Sequence, residues 1–332
     1  MTLPSRIPGP PAALANPSLL PPDDAAEGQA FLEQRGSDQD GLVSVGGRHL
    51  RGGPQTLPQL ADPALPSFSG RVRQGFGRGA ASYETQARLQ QGVAWRLGRL
   101  CRDLPLPAGP CADLGAGSGL LSRALLDQRP SLAKPPLQLD LCPELLAHNP
   151  LAGPTTAPWD LNRGLPPQLR DAGLLLSSFA LQWLDDPMAQ LAHWAGRLAP
   201  GGWLALAVPV AGSFDTWQAA ARAASVPCTA LPLPEADGLI EAAIRAGLEG
   251  PRAERLRFSQ APRDGLATLR LLSSLGATAS RQPPLATGQL RRLLAHWPAA
   301  PLRWEVLVLV GRKAGGAPSL PAAPSPPYGP PC

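Results

Sequence analysis

The sequence predicts an α/β fold, a mostly parallel β-sheet with helices on both faces. Short apolar segments of the kind found in buried strands recur along the middle of the chain. Successive segments are separated by enough residues for a helix to cross from one strand to the next. Strands that alternate with helical crossovers build a parallel sheet with two covered faces, so one pattern predicts both the sheet and its helical layers.

Each element follows from a local pattern. Residues 80–101 place apolar side chains at helical spacing and predict a leading amphipathic helix. After it, residues 111–114 predict a first strand, 120–128 a helix and 137–140 a second strand. The remaining predicted elements are strands at 174–177, 203–208, 255–259 and 304–310 and helices at 188–198, 265–275 and 288–295.

The two ends of the chain differ from its middle in composition. Residues 1–70 hold 11 prolines, carry a net charge of −3 and lack a sustained apolar period, so they predict a disordered extension. Residues 314–332 are rich in Pro, Ala and Ser and predict a disordered tail. The folded domain is therefore predicted at 71–313. An insertion at about 263–298 is expected to cap the carboxyl end of the sheet, where ligands bind.

Composition excludes several classes of protein. No apolar run approaches the roughly 18 residues that span a bilayer, and the N-terminus lacks the pattern of a secretory signal. The 5 cysteines have no CxxC spacing and the 4 histidines are scattered, so neither a disulfide framework nor a metal site is expected. A cytoplasmic location is the expectation. The net charge of +5 is carried almost entirely by arginine, and no nucleic-acid or membrane partner is expected.

A glycine-rich turn lies where the first predicted strand becomes a helix. Gly115, Gly117 and Gly119 would let the backbone approach a ligand without obstruction from a Cβ. A dinucleotide-binding fingerprint would place its third glycine at 120, which is Leu, and no Gly-Lys-Ser/Thr of a phosphate loop follows. Asp140 ends the second strand, a position that suits a carboxylate accepting hydrogen bonds from ribose hydroxyls. The residues predict a nucleoside site that is not an NAD site; a turn without a ligand is the alternative.

The stretch from Asp113 to Gly119, with the helix, strand and acid that follow it, resembles the first motif of the class I S-adenosylmethionine-dependent methyltransferases. This resemblance implies S-adenosyl-L-methionine as cofactor and a seven-stranded sheet whose last strand is antiparallel. It also implies that the glycine turn faces the methionine part, Asp140 the ribose and Asp160 the adenine; a helix N-cap is the other interpretation of Asp160. The cofactor-binding residues implied are Asp113, Gly115, Ala116, Gly117, Gly119, Asp140, Asp160, Leu161 and Ser178.

Further segments resemble one branch of that superfamily, the malonyl-[acyl-carrier protein] O-methyltransferases of biotin synthesis. They are residues 76–83 (FGRGAASY), 176–187 (LSSFALQWLDDP), 197–203 (RLAPGGW), 212–217 (GSFDTW) and 304–313 (WEVLVLVGRK). The most discriminating pieces are 180–183 (ALQW), 212–214 (GSF) and 275–277 (LGA). The resemblance covers about residues 73–313. It implies methylation of the free carboxylate of a malonyl thioester on acyl carrier protein, or on coenzyme A.

A malonyl carboxylate is ionised at neutral pH and a sulfonium methyl group is electrophilic, so alignment and desolvation suffice and no general base is expected. Arg78 and Arg281 are the candidate cations that hold the carboxylate, and Arg78 is favoured because it lies in a segment that resembles the family. A surface arginine is the alternative for each. Tyr83 is expected to cover the cofactor or donate to the acceptor, or else to pack in the core.

Other residues and functions complete the expectations. Trp183 and Trp217 are expected to line the acceptor pocket. Arg291 and Arg292 in the cap are candidates for meeting an acidic carrier protein, or else form a solvated helix face. Two other functions stay open: a methyltransferase for a quinone or another small molecule, which would need a general base, and a non-catalytic assembly factor. The sequence does not predict the oligomeric state.

Overall fold

The computed structural model describes residues 67–132, 134–153, 155–260 and 264–315. All of them lie in one unit of the chain, Ala61–Cys332; a second unit, Met1–Leu60, falls outside the described residues. The described strands are β1 (Cys111–Leu114), β2 (Leu137–Asp140), β3 (Thr156–Pro158), β4 (Ala172–Ser178), β5 (Leu198–Pro209), β6 (Leu248–Gln260) and β7 (Leu302–Lys313).

These strands form one seven-stranded sheet in the order β3-β2-β1-β4-β5-β7-β6. Strands β1 to β5 pair in parallel, and β7 pairs antiparallel with both β5 and β6. The strand order reverses between β1 and β4, and ligands of open parallel sheets bind outside the carboxyl ends of the strands at such a switch point. The predicted fold class, a mostly parallel sheet of seven strands with an antiparallel last strand, is confirmed.

The described α-helices connect and cover these strands. They are α1 (Phe68–Gly79), α2 (Tyr83–Gln86), α3 (Arg88–Cys101), α4 (Leu120–Gln128), α5 (Pro143–Ala147), α6 (Pro187–Gly196), α7 (Asp215–Ala223), α8 (Ala236–Arg245), α9 (Gly265–Ser274) and α10 (Thr287–Ala295). The predicted β1, α4 and β2 agree with the structure at both ends, because a glycine turn and an acidic strand end delimit them. Strands β4 to β7 extend beyond their predicted apolar centres.

The core lies on both faces of the sheet because successive strand residues point to opposite sides. Leu175 of β4 packs in one cluster with Leu191 and Trp194 of α6. Leu174 and Leu176, its neighbours in β4, pack in the other cluster with helices α3 and α4. Each of these side chains is fully buried. Apolar residues at consecutive positions of β4 thus hold a helical layer on each face.

The leading helix differs from its prediction. Residues 80–101 do not form one helix: a 3-10 turn (Ala80–Ser82), α2 and α3 follow one another, and the chain bends at Ala87. Ala87 is buried with a non-helical ψ of 38°, and its N–H bonds to the carbonyl of Tyr83. The bend separates the short helix that carries Tyr83 from α3, which packs along α4.

The ends and the cap are described only in part. Helix α1 begins at Phe68, so the last residues of the predicted extension are helical, and Ser67 caps the helix by accepting a hydrogen bond from the N–H of Gly70. Residues 1–66 and 316–332 lie outside the described residues. In the predicted cap, α9 packs against α1 and α2, and α10 packs against α7 and α9; Arg263 is not described. Within the described segments, no helix combines the length and apolarity needed to cross a membrane.

Candidate active site

The glycine turn after β1 has the backbone that its sequence requires. Gly115, Gly117 and Gly119 have φ values of 78°, 53° and 83°, in the left-handed region that side chains disfavour. A Cβ on Gly115 would lie 2.1 Å from the Cβ of Ala180, and a Cβ on Gly119 would lie 2.4 Å from Oδ1 of Asn149. The missing side chains of Gly115 and Gly119 therefore allow Ala180 and Asn149 to pack against the turn. The space beside Gly117 is open, and this residue lines a cavity.

Asp140 is held against this turn. Because β1 and β2 are parallel neighbours, with Leu114 opposite Leu139, their carboxyl ends meet at one edge of the sheet. The N–H of Gly117 donates to Oδ2 of Asp140 over 2.8 Å, and the N–H of Cys142 donates to Oδ1 over 2.8 Å. Burial raises the pKa of Asp140 to about 6, although both hydrogen bonds lower it. Each carboxylate oxygen still has capacity to accept from a ligand.

The floor of the cavity contains two buried polar atoms without a hydrogen-bond partner in the described structure. Asp113 accepts a hydrogen bond from Ser122 on Oδ2 over 2.8 Å, but its Oδ1 is unpaired. The Oγ of Ser178, at the end of β4, is also unpaired. Burial raises the pKa of Asp113 to about 7, and the hydrogen bonds that Ser122 contributes oppose the rise. Unpaired buried polar atoms are costly, so both are positioned for polar groups of a ligand.

The far wall follows β3. Asp160 and Leu161 line the same cavity as the glycine turn, together with Ala116 and Ser178. Oδ1 of Asp160 accepts from the N–H of Asn162 over 3.0 Å and caps a 3-10 turn, Leu161–Arg163. The helix-cap interpretation of Asp160 is therefore correct for one of its oxygens, and the residue also faces the cavity. Of the predicted cofactor-binding residues, Gly119 does not line the cavity; it is the N-cap residue of α4 instead.

A second cavity adjoins the first one. The two share the side chains of Phe76, Tyr83, Gln90, Phe179 and Trp183. We call the first the cofactor cavity and the second the acceptor cavity, in keeping with the sequence prediction. The other residues that line the acceptor cavity are Gln182, Pro209, Phe214, Leu231, Leu233, Leu272, Leu275, Ala277 and Trp304. None of these described lining residues carries a formal charge.

Tyr83 lies where the two cavities meet. Its ring makes an edge contact with Phe76 at a centroid distance of 6.3 Å, and Phe76 makes another with Trp183 at 5.5 Å. Burial, with the negative charges of Asp140 and Glu84, raises the pKa of Tyr83 above its ordinary value. The hydroxyl is therefore protonated at neutral pH and available as a hydrogen-bond donor. Tyr83 thus packs with aromatic residues and also lines both cavities, and its role toward a ligand stays a prediction.

Arg78 does not reach either cavity. It is exposed on α1, and its Nε donates to the carbonyl of Gln74 in its own helix over 3.3 Å. Val72, Gly75 and Gly79 form the buried face of α1. Phe76 lines the cavities, and successive residues of an α-helix are rotated by about 100°. Arg78, two positions later, therefore points about 200° away from Phe76 around the helix. The structure thus does not support Arg78 as the residue that holds the acceptor; it favours the surface alternative.

Arg281 also lies outside both cavities, but it makes several contacts. Its guanidinium donates to Oδ1 of Asp185 over 3.2 Å and to the carbonyl of Leu184 over 2.7 Å. It stacks on the ring of Phe68 with Cζ 3.9 Å from the ring centroid. Leu184 lines the cofactor cavity, so Arg281 supports the wall rather than contacting a ligand. The side chain is 33% exposed, which fits neither a buried clamp nor a free surface arginine.

Asn162 completes a ring of contacts with Arg281. Its Nδ2 donates to Oγ of Ser69 over 3.0 Å, and its Oδ1 accepts from the N–H of Asp185 over 2.9 Å. Ser69 follows Phe68 in α1, so the start of α1 is tied to the loop after β4 on two sides. We call Phe68, Ser69, Asn162, Asp185 and Arg281 the α1 clasp. Through it, α1 is held over the cofactor cavity, which Ser69, Val72 and Phe76 line.

Sequence reasoning missed Asn162, Gln90, Gln182 and Phe179. Nothing near Asn162 in sequence indicates its role, because its partners are 93 and 23 residues away along the chain. Phe179 has a left-handed φ of 55°, a conformation that is costly for a bulky residue and is often retained at functional sites. Trp183 lines both cavities as expected, whereas Trp217 lines neither and packs on Trp297 at 6.0 Å. The side chain of Trp217 packs where α7 meets α10.

Metal chemistry has no obvious location in the described part of the chain. No group of three or more His, Cys, Asp or Glu side chains there is arranged to hold a metal ion. The Nε2 of His193 accepts a hydrogen bond from the N–H of Leu165 over 3.1 Å. The polar groups that line the two cavities are backbone amides, carboxylates, hydroxyls and side-chain amides, with the guanidinium of Arg73 at the cofactor cavity.

The sequence of the chain is similar to those of several known methyltransferases and biotin-synthesis proteins. The chain is 35% identical over 240 residues to "Biotin biosynthesis bifunctional protein BioCD" of Bordetella avium, covering 71% of this chain and 50% of that protein. It is 37% identical over 167 residues to the malonyl-[acyl-carrier protein] O-methyltransferase of Alcanivorax borkumensis, covering 47% of this chain and 55% of the relative. The same enzyme of Hahella chejuensis is 29% identical over 237 residues, with coverage of 68% and 82%.

More distant matches have other names. A trans-aconitate 2-methyltransferase of Streptomyces avermitilis is 36% identical over 122 residues, 34% of this chain and 43% of that protein. A solved structure, a possible histamine N-methyltransferase of Thermotoga maritima, aligns with a TM-score of 0.43 and 17% identity over 73% of this chain and 99% of that one. No family model matches the chain.

The match spans about half the length of the first two relatives, at 50% and 55%. The segments of this chain that resemble those methyltransferases contribute Phe76, Trp183 and Phe214 to the cavities. The sheet has seven strands and an antiparallel last strand, as the resemblance implied. The chain is therefore a homologue of the malonyl-[acyl-carrier protein] O-methyltransferases, built on the class I S-adenosylmethionine-dependent methyltransferase fold.

Proposed function

We propose that the chain transfers the methyl group of S-adenosyl-L-methionine to the free carboxylate of a malonyl thioester on acyl carrier protein. The product would be the malonyl methyl ester that primes pimeloyl and biotin synthesis. One observation carries the proposal: the segments that resemble this branch of methyltransferases converge on the acceptor cavity. Phe76, Gln182, Phe214 and Ala277 come from four separate segments of the chain, and all four line that cavity.

The cofactor cavity has donors and acceptors that fit S-adenosyl-L-methionine. The unpaired Oδ1 of Asp113 and Oγ of Ser178 suit the amino-acid end, and Asp140 suits the ribose hydroxyls. Asp160 and Leu161 line the wall expected to meet the adenine. The open flank of Gly117 leaves room that a Cβ would fill. When bound, this cofactor supplies an electrophilic methyl group on a positively charged sulfur.

The acceptor cavity suits an acceptor that is already a nucleophilic anion and needs only to be oriented and shielded from water. A malonyl carboxylate is already ionised at neutral pH, so this chain's residues need only orient it and exclude water. The described lining is apolar apart from Tyr83, Gln90 and Gln182. The Tyr83 hydroxyl, at the junction of the cavities, is protonated and can donate to one carboxylate oxygen while the other faces the cofactor cavity. No proton has to be removed from the acceptor.

The lining also bears on which carboxylate is accepted. Trans-aconitate 2-methyltransferases are named for an acceptor with several carboxylates. Burying a charge without a partner is costly, so a polyanion would need cations that the described lining of the acceptor cavity lacks. A malonyl thioester brings one carboxylate to the cavity, because the phosphodiester of its arm lies at the far end of the uncharged pantetheine part. The uncharged lining therefore favours the thioester over a free di- or tricarboxylic acid.

A side-by-side assay tests the proposal. Methyl transfer from radiolabelled S-adenosyl-L-methionine is measured with malonyl carrier protein, malonyl-coenzyme A, free malonate and trans-aconitate. The proposal predicts a higher kcat/KM for malonyl carrier protein than for either free acid. Faster transfer to free malonate or trans-aconitate would contradict it, and transfer to none of the four would favour the quinone methyltransferase or the non-catalytic alternative.

A further inference from the structure

Three neighbouring helices on the acceptor side carry arginines that lack a carboxylate partner in the described structure. Arg222 lies on α7, Arg270 on α9, and Arg291 and Arg292 on α10, and all four are exposed. Helix α10 packs against both α7 and α9. The only carboxylate within these helices is Asp215, which pairs with Arg303 over 2.9 Å.

Exposed leucines accompany these arginines. Leu266 is 45% exposed and precedes Arg270 by four residues, so both lie on the outer face of α9. Leu290 is 36% exposed and adjoins Arg291 on α10. Arginine is enriched in protein contact surfaces, and here it stands beside exposed apolar side chains. We call these six residues, Arg222, Leu266, Arg270, Leu290, Arg291 and Arg292, the cap face.

The cap face adjoins the acceptor cavity. Leu272 and Leu275, on the inner side and at the end of α9, line that cavity. Arg222 lines a surface groove with Gln218, Val226 and Cys228, and Leu231 lines both this groove and the acceptor cavity. A substrate arm lying in the groove would therefore pass Arg222 before it reaches Leu231 and the cavity behind it.

We infer that the cap face is the docking surface for an acidic carrier protein, and that Arg222 contacts the phosphodiester of its phosphopantetheine arm. The inference rests on the proposed function and specifies the partner of the same site. Arginines without internal partners would meet the carboxylates of the carrier, and the leucines would cover its apolar contact. A guanidinium at the groove suits a phosphate, with which it forms paired hydrogen bonds.

Three acceptors separate the parts of this inference. Malonyl carrier protein has both the acidic surface and the phosphate, malonyl-coenzyme A has phosphates without the protein, and malonyl-N-acetylcysteamine has neither. The variants are Arg270→Glu with Arg291→Glu, and Arg222→Glu alone. The control is Arg170→Glu, an exposed arginine at the amino end of β4, on the opposite edge of the sheet.

The double variant should raise KM for malonyl carrier protein on the order of tenfold and leave malonyl-N-acetylcysteamine unchanged. The salt dependence of kcat/KM for the carrier should also weaken in that variant. Arg222→Glu should raise KM for both the carrier and malonyl-coenzyme A. Arg170→Glu should change none of the three, and cofactor affinity should stay constant in every variant.

Several results would overturn the docking surface without touching the proposed function. A wild-type enzyme that methylates the carrier, with variants that do so equally well, would remove the cap face from the interaction. A loss shared by malonyl-N-acetylcysteamine would indicate damage to the site instead of docking. Equal inhibition of wild type by unloaded carrier protein and by a short DNA duplex would indicate a general attraction to polyanions. Absence of transfer to every malonyl thioester by the wild type would instead contradict the proposed function.

Discussion

Two glycines of one turn constrain different properties of the protein. A Cβ on Gly115 would lie 2.1 Å from the Cβ of Ala180, whereas a Cβ on Gly117 would approach only Leu145 and Asp140, at 3.8 and 4.0 Å. Gly115→Ala should therefore lower the melting temperature markedly. Gly117→Ala should cost only about 1 kcal/mol of stability, from its left-handed backbone, while its methyl group obstructs the cofactor. Thermal unfolding and titration calorimetry on both variants check this contrast; unimpaired cofactor binding by Gly117→Ala would contradict it.

The two buried carboxyls predict opposite effects of pH on folding and on binding. Asp140 has a pKa of about 6 and Asp113 of about 7, both above the ordinary value of 3.8. A raised native pKa means that ionisation disfavours the fold, so the free protein should lose stability as pH rises from about 4 to 7. Ribose hydroxyls and an ammonium group bind the ionised forms, so cofactor affinity should rise over pH 5 to 7.

Calorimetry at several pH values measures the binding part of that prediction. Affinity should fall about tenfold for each pH unit below the pKa of an essential carboxylate. Asp140→Asn should bind more weakly at pH 7 and show a flatter profile, since it cannot ionise. A wild-type profile that is level between pH 5 and 7 would show that neither carboxyl controls binding.

At the scale of elements, α1 is the cover of the cofactor cavity and the clasp determines how firmly it is held. Asn162→Ala removes the hydrogen bonds to Ser69 and Asp185, and Arg281→Ala removes the contacts to Leu184, Asp185 and Phe68. Each lost hydrogen bond is worth about 1 kcal/mol, or roughly fivefold in an equilibrium.

Both clasp variants should therefore release S-adenosylhomocysteine faster than wild type in stopped-flow measurements. Arg78→Ala is the matched control, an arginine of the same helix whose hydrogen bond within the described residues goes to the carbonyl of Gln74. It should leave release and turnover unchanged. Loss of turnover in Arg78→Ala with normal cofactor release would restore that residue as the acceptor clamp and contradict the placement described above.

The elements that the sequence predicted well are those fixed by local chemistry. Strands β1 and β2 and helix α4 are bounded by glycines and an acid whose roles are legible within a few residues. The bend at Ala87 was not predictable, because alanine favours helix and only the packing of Tyr83 and α3 requires the break. Arg78 was predicted to hold the acceptor because it lies in a segment that resembles the family. Which face of α1 points outward depends on the tertiary contacts of Val72 and Phe76, which the sequence does not show.

At the scale of the molecule, the beginning of the described chain bears on the site. Phe68 and Ser69 belong to the clasp, and Ser67 caps α1. A chain of residues 67–315 should keep the melting temperature and cofactor affinity of the full chain. Starting instead at Arg71 should weaken cofactor binding by roughly tenfold while the sheet still folds, because clasp contacts of about 1 kcal/mol each are lost.

Differential scanning calorimetry and cofactor titration on both truncated chains test this prediction. Equal binding by the two would show that the first turn of α1 is dispensable. Failure of the 67–315 chain to fold would show that residues 1–66 or 316–332 stabilise the domain.

The cofactor cavity and the acceptor cavity meet at Tyr83, where the proposed reaction would pass a methyl group to a malonyl carboxylate. Mass spectrometry tests this most directly. Malonyl carrier protein is incubated with the enzyme and S-adenosyl-L-methionine bearing a trideuterated methyl group, and the acyl group is then fragmented. The label should appear as a methyl ester on the distal carboxylate of the malonyl group. A label on carbon or on the protein, or no label on the malonyl group, would contradict it.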